Sequence, residues 1–540
     1  MLGRSGDHLR LRFYARGVVG AIALTVGLIT TAGVSPAAAT GNCPTVDPTT
    51  HAVSPAPAPG VDWSGCDLQD AVLLNADLSA AQLSDANMSR AYLWGANLEG
   101  AQLTRAELVG ADLANTNIVA ADFTNADLTQ VHSGQIAGDP SVLPQPWKLA
   151  SGWLLGPTAN LEWANLAGID FGSADLTKAN LYGAGLYGAR LGATTLTGVM
   201  SGWVVGEPQD LPLNWQFIHG NLIGPGADLT GADLTNLDLR LSHLEGVKSG
   251  WISGTPSALP TGWHLMNRYL IGPGADLTNA DLSRLPLNFS LRNTVLTGAN
   301  VDGTNFYGAD LSGVRSGGIH GDPSLDRGWE LYNGYLIGPG ADLRSATLSG
   351  LSAPLTTESW ILTNADFSGA DLVGANLTSA DLRWSNLTQA NLTGANLAGA
   401  DLLGSDLTGA TFTGATLKYI HGAGLTGAPA ALPPEWKTAS GYLIGPGADL
   451  RVSHLTQEDL QGASLRGSDL SWADLSHLDL SGIDMSSAVL VGTNLSNTML
   501  ERANLFRLHT LGIQTTPANL PASWKPVSYT HLTLPTIYSV

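Results

Sequence analysis

Residues 379–413 read SADLRWSNLTQANLTGANLAGADLLGSDLTGATFT. A Leu or Phe recurs at every fifth position: Leu382, Leu387, Leu392, Leu397, Leu402, Leu407 and Phe412. Two places before each stands a small residue (Ala380, Ser385, Ala390, Ala395, Ala400, Ser405, Ala410), with Asp, Asn or Thr between them. A period of five fits neither the 3.6 of a helix nor the 2 of a strand. A short fixed period calls instead for a solenoid, whose units bury their apolar side only by stacking on one another.

The same spacing fills most of the chain on either side. Thirteen centres run in phase from Leu68 to Leu128, eight from Leu161 to Leu196, and four from Leu229 to Leu244. Eight more run from Leu277 to Leu311 if one residue is missing between Leu287 and Leu291. Sixteen places span Leu343–Leu417, with one residue lost in a blurred patch near Ala353–Trp360, and twelve span Leu450–Leu505.

Written A-(D/N)-L-x-x, these units resemble the pentapeptide-repeat family over most of Cys66–Leu505. The resemblance implies an all-β fold, a right-handed quadrilateral β-helix with four pentapeptides per coil. The side chains agree with it. Leu and the preceding Ala face a narrow bore, Asp or Asn faces out, and corners such as Leu392-Thr-Gly-Ala395 turn the chain. About fifteen coils at the ordinary strand spacing of ~4.8 Å would make a rod of roughly 70 Å.

Five excursions interrupt the runs, at about 129–160, 197–228, 245–276, 312–342 and 418–449. Each carries a Trp at a fixed place: Trp147, Trp215, Trp263, Trp329 and Trp436. From that Trp the text reads as a β-hairpin; Asn333-Gly334, between Glu330-Leu-Tyr and Tyr335-Leu-Ile, is a two-residue turn signal. The run lengths are multiples of four units, apart from one starter unit in the first. Four units per coil then place every hairpin on one edge, and the five Trp residues form the candidate interaction ridge. A sixth excursion starts after Leu505 (about 509–528), but Tyr529-THLTLPTIYSV holds neither hairpin nor return. Residues 529–540 resemble a non-native tail and are expected to be disordered.

The N-terminus reads as a bacterial export signal over residues 1–39. Arg4, Arg10, Arg12 and Arg16 precede the apolar run Val18–Val34 and the small-residue site Ala37-Ala38-Ala39. Cleavage would leave no other segment apolar enough to span a bilayer. It would also move the formal charge from −20 to about −23, since four Arg and one Asp are removed. A Pro-rich leader and cap follows at 40–62, then the solenoid at 63–508. In an exported chain, Cys43 and Cys66 read as one disulfide pinning the leader over the open end of the coil.

There is no HExxH, phosphate loop or GxSxG elbow, and the twelve His are scattered. No catalytic residue, metal or cofactor is expected; the recurrent Asp reads as solvated repeat surface. The favoured function is a secreted or cell-surface scaffold, non-enzymatic, whose hairpins meet a protein or surface polymer. Some pentapeptide-repeat proteins mimic duplex DNA and inhibit topoisomerases, which the acidic charge permits and the export signal opposes. An enzyme with a site between hairpins and rod ranks third.

Overall fold

A computed structural model describes residues 43–352, 354, 359–522, 524–528 and 531–533. The expected signal peptide lies outside them, as do residues 529, 530 and 534–540 of the expected tail.

Each five-residue unit closes with one tight turn. The Leu392 carbonyl accepts the Ala395 N–H at 3.0 Å, and Gly394 between them has φ +68°, as the third position of a type II turn requires. The outward Asn391 helps to build that turn, since its Oδ1 accepts the N–H of Thr393 at 3.2 Å and the Thr393 hydroxyl at 2.7 Å. Repeat after repeat uses the same Asx turn, with Asp77, Asp175 and Asp406 accepting the N–H two residues on. The outward position is therefore a turn former as well as a solvated one. It also explains why Thr so often follows the core Leu.

Turns stack through parallel rungs. The Leu392 N–H donates to Thr411 O at 2.7 Å and the Thr411 N–H donates back to Ala390 O at 2.9 Å. Paired residues such as Asn391 and Thr411 are twenty apart, so one turn of the coil takes four units. Leu392, Leu397, Leu402 and Leu407 are fully buried, as are Ala395 and Ala400. Where the small slot holds a hydroxyl, a neighbouring carbonyl can satisfy it: Thr116 Oγ1 donates to Leu113 O at 2.7 Å and Ser405 Oγ to Leu382 O at 2.7 Å, whereas the buried Ser453 Oγ has no such partner.

One ladder runs unbroken from Ala52 to Thr426 through seventeen bridges, passing straight across four excursions. It steps from His132 to Asn160, Met200 to Asp228, Lys248 to Asp276 and Arg315 to Asp342, that is, one turn plus seven or eight residues. The excursions keep building the coil; Ala137 pairs with Asn117, and Val142 with Asp122. Only the fourth side gives way to a hairpin. The earlier count of fifteen coils omitted these turns, and about twenty turns make a rod of about 100 Å.

The elements outside the single-bridge ladders are short. β1 (Thr45–Val46) pairs with β2 (Val53–Ser54), and five antiparallel hairpins follow. These are β3 (Lys148–Ala150) with β4 (Trp153–Leu155), β5 (Gln216–Ile218) with β6 (Asn221–Ile223), and β7 (His264–Met266) with β8 (Tyr269–Ile271). Then come β9 (Glu330–Tyr332) with β10 (Tyr335–Ile337), and β11 (Lys437–Ala439) with β12 (Tyr442–Ile444). In the fourth, both turn residues are left-handed, Asn333 at φ +47° and Gly334 at +78°, the geometry that matches strand twist in a two-residue loop. A one-turn helix α1 (Gln457–Leu460) is capped by Thr456 and Asp459 and keeps Leu460 in the core. β13 (Val489–Val491) and β14 (His509–Leu511) widen one rung into a parallel pair.

The single-edge expectation fails for the fifth hairpin. The first four are each straddled by the ladder just traced, whereas the fifth is straddled by its neighbour, His421↔Asp449, while Asp406↔Thr426 continues the first. The cause lies in the blurred patch. Asp342 pairs with Asp366, twenty-four residues on, so the patch gains four residues where one lost residue was expected. The run has one unit fewer than sixteen, and the next hairpin moves by one side. Trp360 fills the nominally small slot there, 2% exposed, with its Nε1–H donating to Ser352 O at 3.1 Å.

The sixth excursion also differs from expectation: β15 (Lys525–Ser528) and β16 (His531–Thr533) pair antiparallel, so a hairpin does form there. The β-branched Val527 and Thr533 in these strands favour extended backbone. At the other end the Cys43 and Cys66 sulfurs are bonded, and the leader supplies the first rung, Ala52 against Val72. Among the described residues, no helix is long and apolar enough to cross a membrane.

Candidate interaction surface

The five hairpin Trp residues do not form an exposed ridge. Trp147, Trp263 and Trp329 are 8–9% exposed, and Trp215 and Trp436 are half-buried. Each ring lies on a glycine of its own return strand (Gly156, Gly224, Gly272, Gly338 and Gly445), where a β-carbon would overlap the indole. The Trp-x₈-Gly spacing is thus a packing signal. The sequence favoured an exposed ridge with packing against the coil as its alternative, and the burial of the rings supports the alternative.

Each hairpin is also tied to the coil by its backbone. The hydroxyls of Ser133, Ser201, Ser249 and Ser316 accept the N–H of Leu154, Leu222, Leu270 and Leu336 at 2.9–3.0 Å. In the fifth, Gly422 O accepts from Leu443 N–H at 2.9 Å. The phenolic oxygens of Tyr269, Tyr335 and Tyr442 accept from coil N–H groups at 3.3–3.4 Å. These contacts hold the hairpins against the rod.

The exposed aromatics stand elsewhere, in the left-handed corner slots of the coil. Trp163, Trp203 and Trp251 are 65%, 71% and 69% exposed, at φ +58°, +54° and +55°. Trp384 and Trp472 occupy another corner, 60% and 61% exposed. Trp163 lies across Gly183 of the next turn, its Nε1–H donates to Glu162 Oε1 at 3.1 Å, and Tyr182 meets it edge-on at 5.6 Å. Arg268 sits 5.5 Å from the Trp251 ring centroid. The signal for these residues was available, since a Trp occupied a slot otherwise held by Gly, Asn or a polar residue.

The concavity between the β5–β6 hairpin and the coil is lined by Glu207, Asp210, Trp215, Phe217, Asp238 and Arg240. Two of its three carboxylates are engaged in structure. Asp210 Oδ1 accepts the N–H groups of Leu191 and Gly192 at 2.7 and 2.6 Å. Asp238 is paired with Arg240 at 2.5 Å, and that guanidinium holds its pKa down at about 2. Among the described residues, no group of three or more His, Cys, Asp or Glu could hold a metal ion.

His132 and His421 each place Nδ1 2.9 Å from an aspartate one turn back, Asp112 and Asp401. The Asp112 carboxylate raises the His132 pKa above its ordinary 6.5. Burial pushes Asp112 up, but hydrogen bonds from His132 and the Ala114 N–H outweigh it and bring it below 3.8. The His132 contribution to stability is complete below pH 6.5 and is lost as pH rises through the raised value. The Asp112 contribution is present above pH 3.8 and is lost as pH falls through the lowered value. His132→Gln should therefore lower the melting temperature more at about pH 5.5 than at about pH 8.5. An equal loss at both would show that the pair carries no proton-linked stability.

The family description "Pentapeptide repeats" matches in eight copies, at residues 60–95, 96–132, 159–198, 274–313, 361–389, 385–418, 447–482 and 468–505, together half of the chain. This chain belongs to the pentapeptide-repeat family. Stretches outside the matches, 133–158, 199–273, 314–360 and 419–446, contain the five Trp-bearing hairpins of this pentapeptide-repeat protein. Among solved structures it is similar to HetL, a pentapeptide repeat protein involved in heterocyst differentiation regulation in the cyanobacterium Nostoc (22% identity, 67% of this chain and 89% of that one, TM-score 0.11). It is also similar to QnrB1, a plasmid-mediated fluoroquinolone resistance protein (20% identity, 35% and 81%, TM-score 0.12). A third is a pentapeptide repeat protein from the Arabidopsis thaliana thylakoid lumen (24% identity, 34% and 70%, TM-score 0.10). No curated protein matches.

Proposed function

We propose that this pentapeptide-repeat protein is an exported, non-enzymatic scaffold: a right-handed, four-sided acidic rod that binds a cell-surface polymer or protein through its outer faces. The observation that carries this is the set of Trp side chains more than half exposed at coil corners, where a polar residue or Gly would serve the turn equally well. Large aromatics left in water on a rigid frame are the usual anchors of a binding surface. Twenty-residue rungs support the four-sided coil. The hairpins act in this scheme as stitched-down side walls. Cleavage after residue 39 would free the leader to be pinned by Cys43–Cys66, a bridge of the kind that persists in oxidising compartments.

The formal charge of −20 favours a second reading, mimicry of nucleic acid toward a DNA-binding enzyme. A supercoiling assay with DNA gyrase separates the two. The chain purified from culture medium should begin at Thr40 and leave gyrase unaffected at micromolar protein. Clear inhibition, or a chain retained inside the cell with its N-terminus intact, would transfer the function to the mimic.

A further inference from the structure

Trp163, Trp203 and Trp251 share one corner of the rod. Each lies three residues after a rung of a single ladder, Asn160, Met200 and Lys248, and that ladder runs Asn160, Asn180, Met200, Asp228, Lys248. The corner slots of the turns between are Gly183 and Gly231, both at positive φ. The row thus reads Trp, Gly, Trp, Gly, Trp. Consecutive indoles are two turns apart, about 10 Å along the axis at ordinary strand spacing. Three exposed indoles are thus anchored at even backbone intervals on a coil that cannot stretch, Trp163 laid across Gly183, Trp251 beside Arg268 and Trp203 clear of Gly231. All three could be met by a straight polymer that repeats a flat apolar face at that interval.

An extended β-1,4-linked glycan does so. Alternate sugars of its ribbon face the same way, and the axial C–H faces of pyranose rings stack on indoles. Resting on the scaffold function proposed above, we infer that the Trp163–Trp203–Trp251 corner binds chitin, the uncharged polymer of β-1,4-linked N-acetylglucosamine. Two observations select it. The rod carries a formal charge of −20, which disfavours polyanionic wall polymers. The outward residues on either side of Trp203 are Met200 and Val205, 37% and 66% exposed, whereas Asn160, Asn165, Asp228, Asp233, Lys248 and Ser253 hold the equivalent places beside its neighbours. Acetamido methyl groups at the ribbon edge would cover that apolar pair; hydroxyl groups would not.

The test is co-sedimentation of the disulfide-bonded chain with crystalline chitin, crystalline cellulose and insoluble starch, together with indole fluorescence on addition of chitohexaose. The expected result is retention on chitin, weaker retention on cellulose, and none on starch, whose α-linked coil lacks the flat two-sugar repeat. Trp203→Ala should weaken retention about tenfold, a loss of ~1.4 kcal/mol, and Trp203→Tyr should restore most of it. Tyr307→Ala, 56% exposed and on a different ladder, should bind as the parent does. An unchanged melting temperature for Trp203→Ala would separate lost binding from lost folding. Equal retention on chitin and cellulose would overturn the N-acetyl specificity. No retention on any glycan, or retention indifferent to Trp203, would overturn the site. The scaffold reading falls only to the gyrase and export results.

Discussion

Leu392→Ala is expected to destabilise the rod by about 2–5 kcal/mol, while Asn391→Ser next to it is expected to change almost nothing. Leu392 is fully buried, with its backbone fixed by the rung to Thr411 and the turn to Ala395. Deleting its side chain removes apolar contact with turns above and below and leaves a void that a closed coil cannot collapse to fill. Asn391 faces water, and a serine hydroxyl can still accept the Thr393 N–H in the same turn. Denaturant unfolding of both variants checks this. Hydrogen exchange should localise the Leu392→Ala loss to the adjoining turns, since each layer of a solenoid leans only on its neighbours. Equal costs for the two substitutions would mean the inward and outward assignment is wrong.

Trp263→Ala is expected to cost about 3–5 kcal/mol, a loss confined to the third hairpin and the turns around it. Its ring is 8% exposed and covers Gly272, so removal opens a cavity between hairpin and coil. Trp203→Ala, removing the same side chain from a site 71% exposed, should stay within about 0.5 kcal/mol of the parent. Gly272→Ala gives an independent check, because its β-carbon would overlap the Trp263 indole and such overpacking costs about 1–3 kcal/mol. If Trp263→Ala and Trp203→Ala melt alike, the hairpin tryptophans are not the packing elements described.

The stability of the coil was legible residue by residue. A five-residue period with one large and one small apolar place leaves few ways to bury both, and Leu392 and Ala395 sit where that logic puts them. The hairpin turn at Asn333-Gly334 was legible for the same reason, since two consecutive left-handed residues have a strong local signature. What lies between units was harder to read. The arms of the excursions lack the Leu spacing, so their rungs, such as Asp122 with Val142, were invisible until the backbone was seen. The four-residue insertion before Ile361 was mistaken for a deletion because Trp360 in a small slot broke the pattern used to count. The sequence left open which way the aromatics face: the conspicuous Trp of each excursion is packed on a glycine, and Trp203 is in water.

The run from Leu343 to Leu417 holds fifteen units, one short of four full turns, and so places the fifth hairpin one side around the axis from the other four, while the four extra residues between Asp342 and Asp366 are absorbed within a single turn. In a tube built this way, chain length is an angular coordinate. Twenty added residues translate everything downstream by one pitch without rotating it; five rotate it by one wall; any other number must be absorbed in a loop or break the lining. Compass bearings of decorations on the rod could therefore be redrawn, in nature or by design, through the insertion of a single A-N-L-x-x word, with no change to any surface residue.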